Sequence, residues 1–298
     1  MSWDKHDGIK SVVVAALSSG IGGHSLTHSD IGGYTMVEGG PLSFTRTKEL
    51  LIRWIELAAF GSALFRSHVG LSTSPEQAQI YECDIVMEHF AKFSSIFASL
   101  SDYRSVLMKQ ATQRGWPLMR PMAAHFSYDP RCWDLTEQYM FGEEFLIAPV
   151  LDPVNNFKSR RKLNPARNGK LFLKDDVSIV KVYIPARSEW IHLWSGQTVQ
   201  GGEEGTTMSV DAPFGCPPVF YRPGSEEGKK LRDYIISLDM DVITIISKED
   251  INDQISFENC SEIDNNGNCH KPRMSEIDAF VTPSWYEWLG ISQYVSNF

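Results

Sequence analysis

The sequence predicts an α/β fold that gives way to an all-β one. Three observations predict it. Between residues 8 and 121, long stretches with apolar residues at helical spacing follow short candidate strands. From residue 122, short strand patterns alternate with turn residues, the texture of a β-sandwich. Within the first stretch, His24-Ser25-Leu26-Thr27-His28-Ser29-Asp30-Ile31-Gly32-Gly33-Tyr34 gathers two histidines, a carboxylate, a glycine pair and a tyrosine at one candidate strand end. Polar, titratable groups released by glycines at a strand end are how an α/β barrel builds one wall of a pocket. The expected segments are residues 1–121 (barrel-type α/β), 122–224 (β-sandwich) and 225–298 (a poorly defined tail).

Residues 8–20 are apolar nearly all round and read as a buried helix, with Asp7-Gly8 at its start and Gly20 as its C-cap. Val12-Val13-Val14 leaves a strand as the alternative. Gly22-Gly23 then turn the chain into a short strand at 24–29. After a loop broken by Gly39-Gly40-Pro41, Phe44 to Leu64 reads as a strong helix. Leu50, Trp54, Leu57, Ala58, Gly61 and Leu64 form its apolar face, with Arg46, Lys48 and Arg53 off that face. It runs into Phe65-Arg66-Ser67-His68, a short strand in which Arg66 and His68 share a side. Tyr81 to Leu100 is a second long helix with Ile85, Phe90, Phe93, Phe97 and Leu100 available for one face. Ser101-Asp102 opens a third, ending at Gly115, and Trp116 to Pro121 forbids its continuation. Strands are expected at Gly142–Val150, Val180–Ile184, Trp190–Trp194 and Val219–Arg222, with a solvated basic excursion at Lys158–Lys174. Residues 251–270 are rich in Asn, Asp and Glu and are expected to pack loosely.

A net charge of -9 argues against nucleic acid or an anionic membrane surface as a partner. The five cysteines are scattered without CxxC spacing, so neither a disulfide framework nor a zinc site follows. His24 and His28 lack an assignable third ligand, so no metal and no cofactor is expected. No run of about 18 apolar residues is present, so no membrane span is expected. Residues 2–7 lack the apolar core of a signal peptide, and the cytoplasm is the default compartment.

His28 to Tyr34, the helix running into Phe65-Arg66-Ser67-His68, and Gly142 to Val150 occur in a fixed order. Together they resemble glycoside hydrolase family 31, the α-glucosidase and α-xylosidase family. Trp3-Asp4-Lys5-His6-Asp7-Gly8, the stretch through Tyr34, and Pro217-Pro218-Val219-Phe220-Tyr221-Arg222 look most like its sulfoquinovosidase branch. The resemblance implies the C-terminal portion of a catalytic (β/α)8 barrel followed by β-sandwich domains. Residues 24–34 would end the seventh barrel strand and residues 66–68 the eighth. It also implies a retaining α-glycosidase whose partner is an α-glycoside, a small molecule or an oligosaccharide.

Retaining glycosidases need two carboxyl groups about 5 Å apart, one nucleophile and one acid/base. The family's nucleophile lies in a Trp-x-Asp-Met-Asn-Glu-like motif that is absent here, and its acid/base precedes the segment matching Ser2-Trp3-Asp4. Both are therefore expected N-terminal to Met1. Asp7 reads better as a helix cap, and Asp4 does not match a catalytic position. Asp30 matches an aspartate beside the minus-one sugar subsite, with an Asx-type bond to the following glycines as the equal alternative. His68 matches a histidine that hydrogen-bonds sugar hydroxyls. Tyr34 matches a tyrosine that, in the sulfoquinovosidase branch, reaches the sulfonate through water. The resemblance thus implies Asp30, Tyr34 and His68 as substrate-binding residues, with His28 and Arg66 as support. The other reading is a non-catalytic carbohydrate-binding or scaffold protein. An incomplete barrel would leave strand edges exposed and the fold marginally stable.

Overall fold

The computed structural model describes residues 3–34, 46–69, 77–82, 84–154 and 177–238. The expected basic excursion, the segment 251–270 and Cys83, Cys260 and Cys269 lie outside these residues. The described elements are α1 (Ile9–Ile21), α2 (Lys48–Ala59), α3 (Asp84–Ser99), α4 (Ser101–Arg114), β1 (Met119–Pro121), β2 (Tyr139–Phe141), β3 (Phe145–Ile147), β4 (Ser178–Ile184), β5 (Glu189–His192), β6 (Thr198–Gln200), β7 (Thr206–Ala212), β8 (Val219–Tyr221) and α5 (Glu226–Ser237). No described helix is long and apolar enough to cross a membrane.

Six strands form one antiparallel sheet in the order β1-β2-β3-β8-β5-β6. β2 and β3 make a tight hairpin, Phe141 opposite Phe145, turned by Gly142 at φ +61°. β4 and β7 pair separately over seven residues, from Ser178↔Ala212 to Ile184↔Thr206. The six-stranded sheet is covered on both faces. Tyr139, Phe141, Phe145, Ile147, Val219 and Tyr221 join the core of α1 to α4. Met140, Leu146, Phe220 and Trp190 face the other way, into a core with Val182, Ile184 and Val210 of the β4–β7 pair. Double coverage explains why β2, β3 and β8 read as unbroken apolar triplets rather than as alternation.

Several expectations are corrected. Gly20 does not cap α1: the helix runs on to Ile21, and Gly20 is an internal close-packing position where a Cβ would meet Pro117 at 3.1 Å. At its other end Gly8, not Asp7, is the N-cap, with Ser11 Oγ accepting from Gly8 N at 3.1 Å. Residues 24–29 form no strand; the isolated parallel bridge Ile31↔Ser67 lies just beyond them. Two short parallel segments paired on one side share too few hydrogen bonds for a longer ladder. α2 is shorter than expected, opened by Thr47, whose hydroxyl accepts from Leu50 N. Arg46 and Arg53, expected off the apolar face, are buried. Arg53 pairs with Glu56 at 2.8 Å and donates to Ala212 O at 2.7 Å, and that pairing makes its burial tolerable. α3 buries Val86, His89, Phe93 and Ile96, with Leu100 buried just past its end, while Phe90 and Phe97 are only half-buried. Gly142 to Val150 is a turn followed by β3 rather than one strand. The expected tail begins with α5, whose N-cap Ser225 accepts from Gly228 N at 2.9 Å. The end of α4 at Gly115, left-handed at φ +70°, is as the sequence predicts.

Candidate functional site

The two segments carrying the expected site residues run side by side. Ala63 N donates to Thr27 O at 2.9 Å and Ile31 N to Arg66 O at 2.8 Å, while Trp54 Nε1 on α2 donates to Ser29 Oγ at 3.0 Å. Just past the bridge, Gly32 and Gly33 have φ of +81° and +79°, and Gly33 N donates to Asp30 O at 2.8 Å. These conformations favour glycine and turn Tyr34 back toward the second segment.

Asp30 is the electrostatic centre. Its Oδ1 accepts from Arg66 Nη2 at 2.7 Å, from Arg66 Nε at 3.1 Å and from His28 Nε2 at 3.1 Å. Burial pushes the Asp30 carboxyl up, but the hydrogen bonds and charge of Arg66 and His28 outweigh it and hold it below its ordinary value. The carboxylate therefore goes to Arg66 and His28, and the glycine turn is closed by the Asp30 backbone carbonyl instead. His28 presents Nε2 to the carboxylate, which leaves a buried Nδ1 without a partner. Beside His28 lies a cleft of about 240 Å³ between Val12, Ala15 and Ala16 of α1 and the Thr27–Ser29 segment.

Tyr34 and His68 meet ring to ring, centroids 4.4 Å apart and planes inclined at 54°. The structure thus brings His28, Asp30 and Arg66 into one polar cluster and Tyr34 and His68 into one aromatic pair. Among the described residues no three His, Cys, Asp or Glu side chains come together as a metal site. Asp4 serves locally, accepting from His6 N at 2.8 Å and Asp7 N at 3.2 Å.

Sequence reasoning missed a layer behind these residues. Arg46, Gln77 and Gln79 are buried and hold backbone carbonyls of the strand ends. The one signal that could have found them is the Gly32-Gly33 pair, because a Cβ at Gly32 would sit 2.4 Å from Arg46 Cδ.

Comparison with known proteins places this geometry in a family. Residues 2–107 match the model of the "Glycosyl hydrolases family 31 TIM-barrel domain", and residues 115–225 match that of the "Glycosyl hydrolase family 31 C-terminal domain". Sulfoquinovosidase of Agrobacterium fabrum is 34% identical over 225 residues, which are 76% of this chain and 29% of that protein. Sulfoquinovosidase of Escherichia coli is 34% identical over 227 residues, 76% of this chain and 28% of that protein. Among solved structures, a sulfoquinovosidase from E. rectale in complex with the aza-sugar inhibitor IFGSQ superposes with a TM-score of 0.64 at 33% identity, covering 78% of this chain and 30% of that one. An α-xylosidase from a soil metagenome complexed with xylose gives 0.53 at 26% identity, covering 75% and 31%. The chain spans less than a third of the length of these relatives. Two family models in tandem, in the order and at the positions where the helical layer and the β-sandwich lie, leave one assignment: this chain belongs to glycoside hydrolase family 31.

Proposed function

We propose that this chain forms the substrate-positioning wall of a retaining α-glycosidase pocket, with an α-glycoside as its ligand. The observation that carries the reading is the cluster at the ends of the two parallel segments: an ionised Asp30 pinned by Arg66 and His28, next to the Tyr34–His68 ring pair. Such a cluster offers a charged acceptor, an imidazole and an aromatic face, the groups that fix the hydroxyls and one face of a sugar ring. The identity to sulfoquinovosidases and the presence of Tyr34 favour a sulfoquinovoside over a plain glucoside.

Asp30 does not serve as either catalytic carboxyl. Held below its ordinary pKa, it carries no proton to donate at neutral pH. Its Oδ1 is committed to three donors, which lowers its nucleophilicity. Double displacement requires a pair of carboxyls about 5 Å apart, and Asp30 does not supply one member of it. The same fact favours the second reading, a carbohydrate-binding protein that holds the sugar without cleaving it.

The test is to measure binding and turnover separately on the purified chain. Methyl α-glucoside and methyl α-sulfoquinovoside are tested by ligand-observed NMR, and the p-nitrophenyl α-glycosides by absorbance. Saturation transfer to a methyl glycoside that D30N or H68A abolishes, with no p-nitrophenol release above a heat-killed control, is the expected result. No transfer to either glycoside would overturn the positioning role. Turnover that D30N removes would overturn the assignment of Asp30 as non-catalytic.

A further inference from the structure

We propose that Arg46, Gln77 and Gln79 form a positioning web that sets the Tyr34–His68 pair, and through it the geometry of sugar recognition; this rests on the reading given under Proposed function.

The observation is one of hydrogen-bond accounting. Among the described residues the two site segments share a single parallel bridge, so their ladder alone leaves the ends beyond Ile31 and Ser67 free to splay. Arg46 spans that gap. Its Nη1 donates to His68 O at 3.0 Å and makes a long contact of 3.5 Å to Ile31 O. Its Nε donates to Ala78 O at 2.7 Å and its Nη2 to Gln79 Oε1 at 2.8 Å. One guanidinium therefore ties the backbone just after Asp30 to the backbone of His68 and to a third segment. That third segment holds the next carbonyl: Gln77 Nε2 and Gln79 Nε2 donate to Val69 O at 3.0 and 2.9 Å. All three side chains are at least nine-tenths buried. Burying them is costly unless their hydrogen bonds are needed where they are. Burial also pulls the Arg46 guanidinium down to about 10, so it remains charged near neutrality. Gly32 is the complement of this arrangement, since any side chain there would displace Arg46. Gln77 is the informative member, because its Oε1 is buried without a partner and contributes nothing to stability.

The variants are R46K, which keeps a charge but cannot bridge several carbonyls, and Q77L, which removes the unpartnered oxygen together with the bond to Val69. Each is read by thermal unfolding, by the proton NOE between the Tyr34 and His68 rings, and by affinity for methyl α-sulfoquinovoside and methyl α-glucoside. The expected result is that Q77L keeps or raises the unfolding midpoint while its ring NOE weakens and affinity drops. R46K stays folded, loses the NOE and binds about tenfold more weakly, as expected for loss of one charged hydrogen bond. A purely structural role would not separate stability from recognition in Q77L. Folded variants with unchanged NOE and affinity would overturn the proposal, and so would loss of fold in both, which would make the web a scaffold only. If the wild-type chain binds neither glycoside, the functional reading falls, while the NOE comparison still decides whether the web sets the pair.

Discussion

Protonation of single residues governs how this molecule responds to acid. Burial, helped by nearby arginines, lowers His125 and His192 from 6.5 to about 4. The unfolded chain therefore takes up these protons first, so stability is full above pH 6.5 and is lost as pH falls toward 4. Thermal midpoints should fall across that window, and the H125Q/H192Q double variant should flatten the slope; an unchanged slope would contradict the assignment. Asp30 acts lower down. Its folded pKa lies below the ordinary 3.8, so its pairing is intact above that value and lost as pH falls through the folded pKa. At neutral pH, D30N should lower the affinity for methyl α-glycosides about tenfold or more, since it removes a charged acceptor; the NMR titration named above measures it. Asp30 and Arg66 were legible in the sequence as site residues, but their pairing was not: Asp30 read equally as a sugar contact or an Asx-type turn residue, and Arg66 as support. Arg46 and Arg53 were not legible as buried groups. Both bond backbone carbonyls, an acceptor every residue carries and no sequence pattern marks, so a rule that sends arginine to solvent misplaces them.

The elements depend on a few polar side chains that close backbone ends. Tyr103 of α4 donates to Phe141 O at 3.0 Å and accepts from Glu143 N and Glu144 N at 3.0 and 3.1 Å, capping the β2–β3 turn. Y103F leaves those groups unmet and should cost about 1–3 kcal/mol in urea unfolding. On α2, Glu56 accepts from Arg53 and from Gly215 N at 2.7 Å, with His89 Nε2 at 3.5 Å. E56A strands a buried guanidinium and should cost about 3–5 kcal/mol by the same measurement. The end of α4 was read correctly because it rests on local chemistry, a left-handed glycine, whereas its start was not: the N-cap is Leu100, with no side-chain cap bond from Ser101 or Asp102. The face of α3 was read less well, since His89 owes its burial to neighbours on α2 and at Gly215, which are distant in sequence.

Across the whole molecule, order is unevenly distributed. The sheet is antiparallel and clad on both sides, whereas the site segments share one bridge. Amides of β2, β3 and β8 should therefore exchange with solvent far more slowly than those of Leu26 and His28 in deuterium-exchange NMR; equal protection would show the site segments to be as firmly held as the sheet. The succession of α/β and then β was visible in the sequence because periodicity changes near residue 121. The count of strands was not, because three-residue strands carry too little pattern to separate from turns. The sheet also has a consequence for inheritance. Neighbouring residues such as Leu146 and Ile147 serve opposite cores, so each short strand is written in two vocabularies at once. Recombination that swapped only the helical layer or only the β4–β7 pair would leave one of those vocabularies without a reader. The two parts are bound to travel through evolution as one unit.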